Sequence, residues 1–252
     1  MIIACLGDSL TEGDYGVYGK RCIANVQKEN YPYFLRKIFN AEVRNFGKCG
    51  FTATHYLNYY KEGNVNLDNA DVIIIMLGTN GGHDDINETQ ANIDYKELID
   101  LCQKDAPRAK LILCTPPHAT SNPEYSNCGH ADQVEKATLF VRKLANENNI
   151  PMIDVALCEQ FNADNEHIMQ PNDGLHFGEI GYKTLAEFIA VGYNHTVLKT
   201  VKITDKGLKT FDFIAIMESV GKVVLHGLYN LGFFISRYLP LTVNDRNAMS
   251  VG

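Results

Sequence analysis

Three strand-like runs, each closing on glycine and a polar side chain, constrain this chain more than any other feature. Ile2-Ile3-Ala4-Cys5-Leu6 runs into Gly7-Asp8-Ser9, Glu42 to Phe46 into Gly47-Lys48-Cys49-Gly50, and Asp71-Val72-Ile73-Ile74-Ile75-Met76-Leu77 into Gly78-Thr79-Asn80-Gly81-Gly82. Short apolar runs bounded by glycine read as buried strands. The run from Asp71 to Leu77 is the most β-like and is expected at the centre of a sheet. Polar residues at the carboxyl ends of such strands sit where open α/β sheets place their chemistry.

Helical spacing is read over Tyr31 to Phe39, Thr54 to Tyr60, Ile86 to Lys104, Ala131 to Asn148 and Glu179 to Tyr193, with further strands at Ala109 to Cys114 and Met152 to Val155. Asp14 to Asn30 and His118 to His130 read as loops. Strands alternating with helices predict an α/β fold: a three-layer α/β/α domain around a five-stranded parallel, doubly wound, flavodoxin-like sheet. That domain is expected over residues 1–195, with a C-terminal helical extension over 196–252.

Composition narrows the function. A net charge of -7 and no Lys/Arg block argue against a nucleic-acid partner, because phosphate neutralisation needs a basic surface. The first strand begins almost at Met1, which leaves no room for a signal peptide, so a cytoplasmic location is expected. The seven widely spaced cysteines, with no Cys-x-x-Cys pair, suit reduced thiols. Cys49, near the expected site, reads as a packing residue. Cys128-Gly129-His130 with His118 matches no zinc spacing, and no metal is expected.

Late in the chain, Pro171-Asn172-Asp173-Gly174-Leu175-His176 forms a polar turn before a helix. An Asp three residues ahead of a His can bend back to accept the imidazole N–H, which fixes the tautomer and stabilises imidazolium. Acyl transfer needs a nucleophile, a base, a group orienting that base, and donors for the oxyanion. Ser9, His176 and Asp173, with donors near Gly47 and Asn80, supply each part. Each also has a plainer reading: Asp8 and Ser9 as a helix cap, Gly47 in a strand-to-helix turn, Asn80 in αL geometry. Asp8 is read mainly as a turn-former. The order Ser, Asp, His matches α/β-hydrolases, but no Gly-x-Ser-x-Gly elbow is present.

The chain resembles the SGNH hydrolases, also called GDSL esterases and lipases. Gly7-Asp8-Ser9-Leu10, Asn45-Phe46-Gly47 with Gly50, Gly78-Thr79-Asn80, and Asp173-Gly174-Leu175-His176 match its four blocks, and the resemblance spans about residues 1–194. It implies Ser9 as nucleophile, His176 as general base then acid, and Asp173 as orienting carboxylate. The oxyanion hole it implies comprises the Ser9 and Gly47 amides and the Asn80 side chain, with no metal or organic cofactor. Gly81 stands where the third block usually has Asp; Asp84 and Asp85 are the nearby substitutes. The activity implied is carboxylic ester hydrolysis through an acyl-enzyme, on short-chain esters of a sugar or small metabolite, with a lysophospholipase-like acylhydrolase or an acyltransferase as alternatives.

Beyond the core, Val201 to Leu208 has hairpin chemistry, and Phe211 to Leu239 has one polar stripe, as an amphipathic helix would. Its stretch free of Asp, Glu, Lys and Arg, Val223 to Ser236, is too short to span a membrane. Its apolar face is expected against the chain's own core, in a homodimer interface or, as the least favoured reading, on a membrane surface. The partner expected otherwise is a small-molecule ester.

Overall fold

The computed structural model describes residues 1–17 and 26–198. Strands β1 (Ile2–Gly7), β2 (Glu42–Gly47), β3 (Val72–Met76), β4 (Lys110–Cys114) and β5 (Met152–Ile153) form one sheet in the order β2-β1-β3-β4-β5. Every pairing is parallel. Helices α1 (Ser9–Glu12), α2 (Tyr31–Phe39), α3 (Ala53–Lys61), α4 (Gln90–Asp105), α5 (Ala131–Glu147), α6 (Glu166–Met169) and α7 (Glu179–Leu198) lie between and after the strands. This is the three-layer, doubly wound architecture expected, with β3 at its centre.

Alternation along the strands sorts their side chains onto two faces. Ala4, Leu6, Ile73, Ile75, Leu111 and Leu113 pack with Tyr56, Tyr95 and Phe140 of α3, α4 and α5. Ile3, Cys5, Val72, Ile74, Met76, Ile112 and Cys114 face Tyr31 and Leu35 of α2 and Tyr182, Leu185 and Ile189 of α7. The register pairs Gly7 with Gly47 on one side and with Met76 on the other, so β1 to β3 end level and their following loops share one edge.

Side-chain caps set the helix starts: Asn30 accepts from Tyr33 N at 3.0 Å, and Thr52 caps α3 with His55 reaching back. Helix α4 begins at Gln90, later than the Ile86 expected from periodicity. Asp84 Oδ1 accepts from the amides of Ile86 (2.9 Å) and Asn87 (2.7 Å), making a separate turn, and Thr89 caps the helix proper. Strand β5 is two residues rather than four. Asp154 leaves the ladder to accept two hydrogen bonds from Arg142 (2.8 and 3.1 Å) and one from Thr115 (3.0 Å). Helix α6 had no counterpart in the sequence pattern.

Cys5, Cys102, Cys114, Cys128 and Cys158 are free thiols, as expected, whereas Cys49 is disulfide-bonded rather than a reduced packing residue. Among the described residues no helix is long and apolar enough to cross a membrane. The expected hairpin, amphipathic helix and homodimer contact lie outside the described residues.

Candidate active site

At the end of β1 the chain turns tightly into α1. A Cβ on Gly7 would stand 2.1 Å from Thr11 Oγ1 and 2.5 Å from the Met76 carbonyl, so only glycine fits. Asp8 caps the short helix, its Oδ1 accepting from Leu10 N at 3.0 Å. Ser9 follows at the first helical position, where a backbone N–H has no intrahelical acceptor, and its residue is only 2% exposed.

From the far end of the chain, the loop between α6 and α7 brings His176 over this serine. Ser9 Oγ lies 2.8 Å from His176 Nε2, and His176 Nδ1 lies 2.7 Å from Asp173 Oδ2. With Nδ1–H donated to Asp173, Nε2 is left to accept from the Ser9 hydroxyl. The loop fixes Asp173 by a local turn: Oδ1 accepts from Leu175 N at 3.0 Å and His176 N at 2.8 Å, while Gly174 takes a positive φ of 75°. Asn172 donates to the Tyr15 carbonyl at 2.8 Å, tying this loop to the segment after α1.

Carboxylates surround the imidazole. Beyond Asp173, the buried Asp14 has Oδ2 3.9 Å from His176 Nε2, and its Oδ1 accepts from Gly16 N at 2.7 Å. Burial opposes charge on His176, but the Asp173 hydrogen bond and charge, then Asp14 and Asp8, outweigh it and hold the imidazole above its ordinary 6.5. For Asp173 burial favours the neutral acid, yet the hydrogen bond and charge of His176 and two backbone amides keep it below its ordinary value. Asp8 moves the other way: burial pushes it up to about 6 against the pull of Leu10 N and Thr79.

The second block needs a correction. The Gly47 amide, expected as an oxyanion donor, donates to Asn45 Oδ1 at 2.8 Å, and a Cβ at Gly47 would stand 2.0 Å from Glu12 N. Gly47 therefore packs β2 against α1, with its N–H engaged. The unengaged amide lies three residues on. Gly50, at a φ of 76°, has open space where a Cβ would stand, and its N–H has no acceptor among the described residues. The turn around it is closed by Phe51 N to Lys48 O at 3.2 Å and pinned by Cys49 N to Glu12 Oε2 at 2.6 Å. Asn80 Nδ2 donates to the Phe51 carbonyl at 3.0 Å, which joins the third block to this turn and leaves a second amide hydrogen.

Gly81, in place of the usual Asp, has a φ of 76°, and a Cβ there would meet Gln133 Oε1 at 2.2 Å. Asp84, one of the nearby candidates, has its Oδ1 engaged in the turn before α4. His118 and Tyr125 prop up the loop: His118 Nε2 pairs with the buried Glu166 at 2.8 Å, and Tyr125 packs on Gly174. Asn127 had no signal in the sequence, yet its Nδ2 donates to Asp173 Oδ2 at 2.8 Å.

The solved structures most like this chain share the fold at low identity. They include a lipase/acylhydrolase from Enterococcus faecalis (22% identity, TM-score 0.58, covering 77% of this chain and 95% of that one). The M. smegmatis aryl esterase follows at 19% identity and TM-score 0.58, covering 78% and 99%. Est24, a carbohydrate acetylesterase from Sinorhizobium meliloti, has 17% identity and TM-score 0.59, covering 78% and 99%. No curated protein matches the chain significantly. The profile of the GDSL-like lipase/acylhydrolase family matches residues 5–184, which include Ser9, Asn80, Asp173 and His176, and the chain belongs to that family.

Proposed function

We propose that the chain is a serine esterase that cleaves carboxylic esters through an acyl-enzyme. The observation that carries this reading is the unbroken run of hydrogen bonds from Ser9 Oγ through His176 to Asp173 at 2.8 and 2.7 Å, among side chains that are largely buried. Ser9 Oγ attacks the ester carbonyl as its proton passes to His176 Nε2, and Asp173 stabilises the resulting imidazolium. The oxyanion is met by the Ser9 amide, the free hydrogen of Asn80 Nδ2 and the Gly50 amide, which replaces Gly47 in this role. His176 returns its proton to the departing alkoxide. It then deprotonates the water that attacks the acyl carbon, and Ser9 is released.

For substrate, the reading favoured is a short acyl group, acetyl in type, on a sugar or small metabolite, which accords with a neighbour that is itself a carbohydrate acetylesterase. The family's lipase/acylhydrolase description supports a second reading, a longer acyl ester such as a lysophospholipid. Hydrolysis of p-nitrophenyl acetate, butyrate, octanoate and palmitate by wild type and Ser9→Ala separates them. Activity that vanishes in the mutant and falls with chain length is expected. Preference for palmitate would select the lipid reading, acceptor-dependent turnover an acyltransferase, and equal inactivity of both proteins would overturn the esterase.

A further inference from the structure

Asp173 receives more than the catalytic sequence blocks account for. The loop after β4 clasps residues 173–174 with two backbone hydrogen bonds, Thr120 N to Gly174 O at 2.9 Å and Asn127 N to Asp173 O at 3.2 Å. Asn127 then adds its side chain, Nδ2 donating to Asp173 Oδ2 at 2.8 Å. That oxygen is the one His176 Nδ1 contacts at 2.7 Å, so two donors share it. On another side Gly16 approaches so closely that a Cβ would stand 2.2 Å from Oδ2, leaving no space for water there. With Oδ1 occupied by Leu175 N and His176 N, the carboxylate accepts four hydrogen bonds among the described residues, and of these only the one from Asn127 comes from a distant segment's side chain.

We propose that Asn127 is a positioning residue of the esterase reaction, which locks the Asp173 carboxylate in the plane that His176 needs and sets how strongly that carboxylate holds the imidazolium. The proposal rests on the esterase reading and adds a residue to it. An N–H donor draws charge from Oδ2, so Asn127 weakens the pull of Asp173 on the His176 proton while fixing its direction. Among the described residues, the groups facing His176 are Ser9, Asp173, Asp14 and Asp8; those facing Asp173 are His176, the Leu175 amide, Gly16 and Asn127, with the buried Tyr182 phenol electrostatically coupled to it. Because the backbone of Asn127 makes its own bond to Asp173 O, the side chain can be changed with the clasp retained.

Two near-isosteric variants test this, Asn127→Leu and Asn127→Asp. In Asn127→Leu the donor is lost, and kcat/KM for p-nitrophenyl acetate is expected to fall on the order of tenfold, the scale of one hydrogen bond to a charged group. The loss falls on kcat rather than KM, and the acid limb of the pH profile moves to higher pH. In Asn127→Asp a second carboxylate faces Oδ2, and the acid limb moves further in the same direction. NMR titration of the His176 ring in the same proteins reads the shift without turnover, so the proposal is judged even if no ester is cleaved and the esterase reading fails. An imidazole titration unchanged in both folded variants overturns it. So does a loss of activity that only tracks a loss of folded protein by circular dichroism.

Discussion

Asn80 shows how much one side chain can carry. Its Nδ2 is anchored on the Phe51 carbonyl, so the remaining hydrogen is held in place before any substrate arrives. Asn80→Ala is expected to lower kcat by about 100- to 1000-fold with little change in KM, because the bond matters only once charge has moved onto the carbonyl oxygen. Steady-state kinetics on p-nitrophenyl acetate checks this. His176 sets the pH dependence. Its folded value lies above 6.5, and catalysis needs the neutral ring in the free enzyme, so kcat/KM should fall as pH drops through a midpoint above 6.5. Asp14 is one of the charges that raise it, and Asp14→Asn should move that limb to lower pH, since Oδ1 of asparagine can still accept from Gly16 N. A limb that stays in place would show that Asp14 exerts no field on the base.

At the scale of elements, the loop between α6 and α7 is legible only in part. Asp173 and His176 stand three apart in the sequence, and the turn between them follows from that spacing. The clasp from residues 120–127 does not, because the contact of Asn127 with Asp173 spans 46 positions and carries no periodic or compositional mark. Gly174 sits under this clasp at a positive φ, and a Cβ there would stand 2.1 Å from Thr120 Cγ2. Gly174→Ala is therefore expected to cost about 1–3 kcal/mol in urea denaturation and to slow fluorophosphonate labelling of Ser9. The proposed exchange of Gly47 for Gly50 as oxyanion donor has the same origin. Gly47 closes β2 and Gly50 lies in the turn after it, and the sequence cannot tell that the Asn45 side chain will take up the Gly47 amide.

For the molecule as a whole, β3 is the central strand, and all five of its residues are buried. Ile74 is buried on the central strand against the layer formed by α2 and α7. Ile74→Ala should cost about 2–5 kcal/mol by leaving a cavity that neighbouring strands cannot fill. The urea midpoint should shift while the rate per folded molecule stays near wild type, since the site is held by the loops beyond the strand ends.

Strand type and the alternation of strands with helices were legible in the sequence alone, because apolar periodicity and glycine-bounded turns are local properties of the chain; Ser9, Asp173, His176 and Asn80 were legible there as candidates, through the four short blocks that carry the family resemblance. The tertiary structure decided which amides remain free, where Asp8, Asp14 and Asn127 stand relative to the imidazole, and that Asp84 serves its own turn. Those outcomes depend on distances between segments far apart in the chain, and only packing of the parallel sheet, which levels the ends of β1, β2 and β3, sets them.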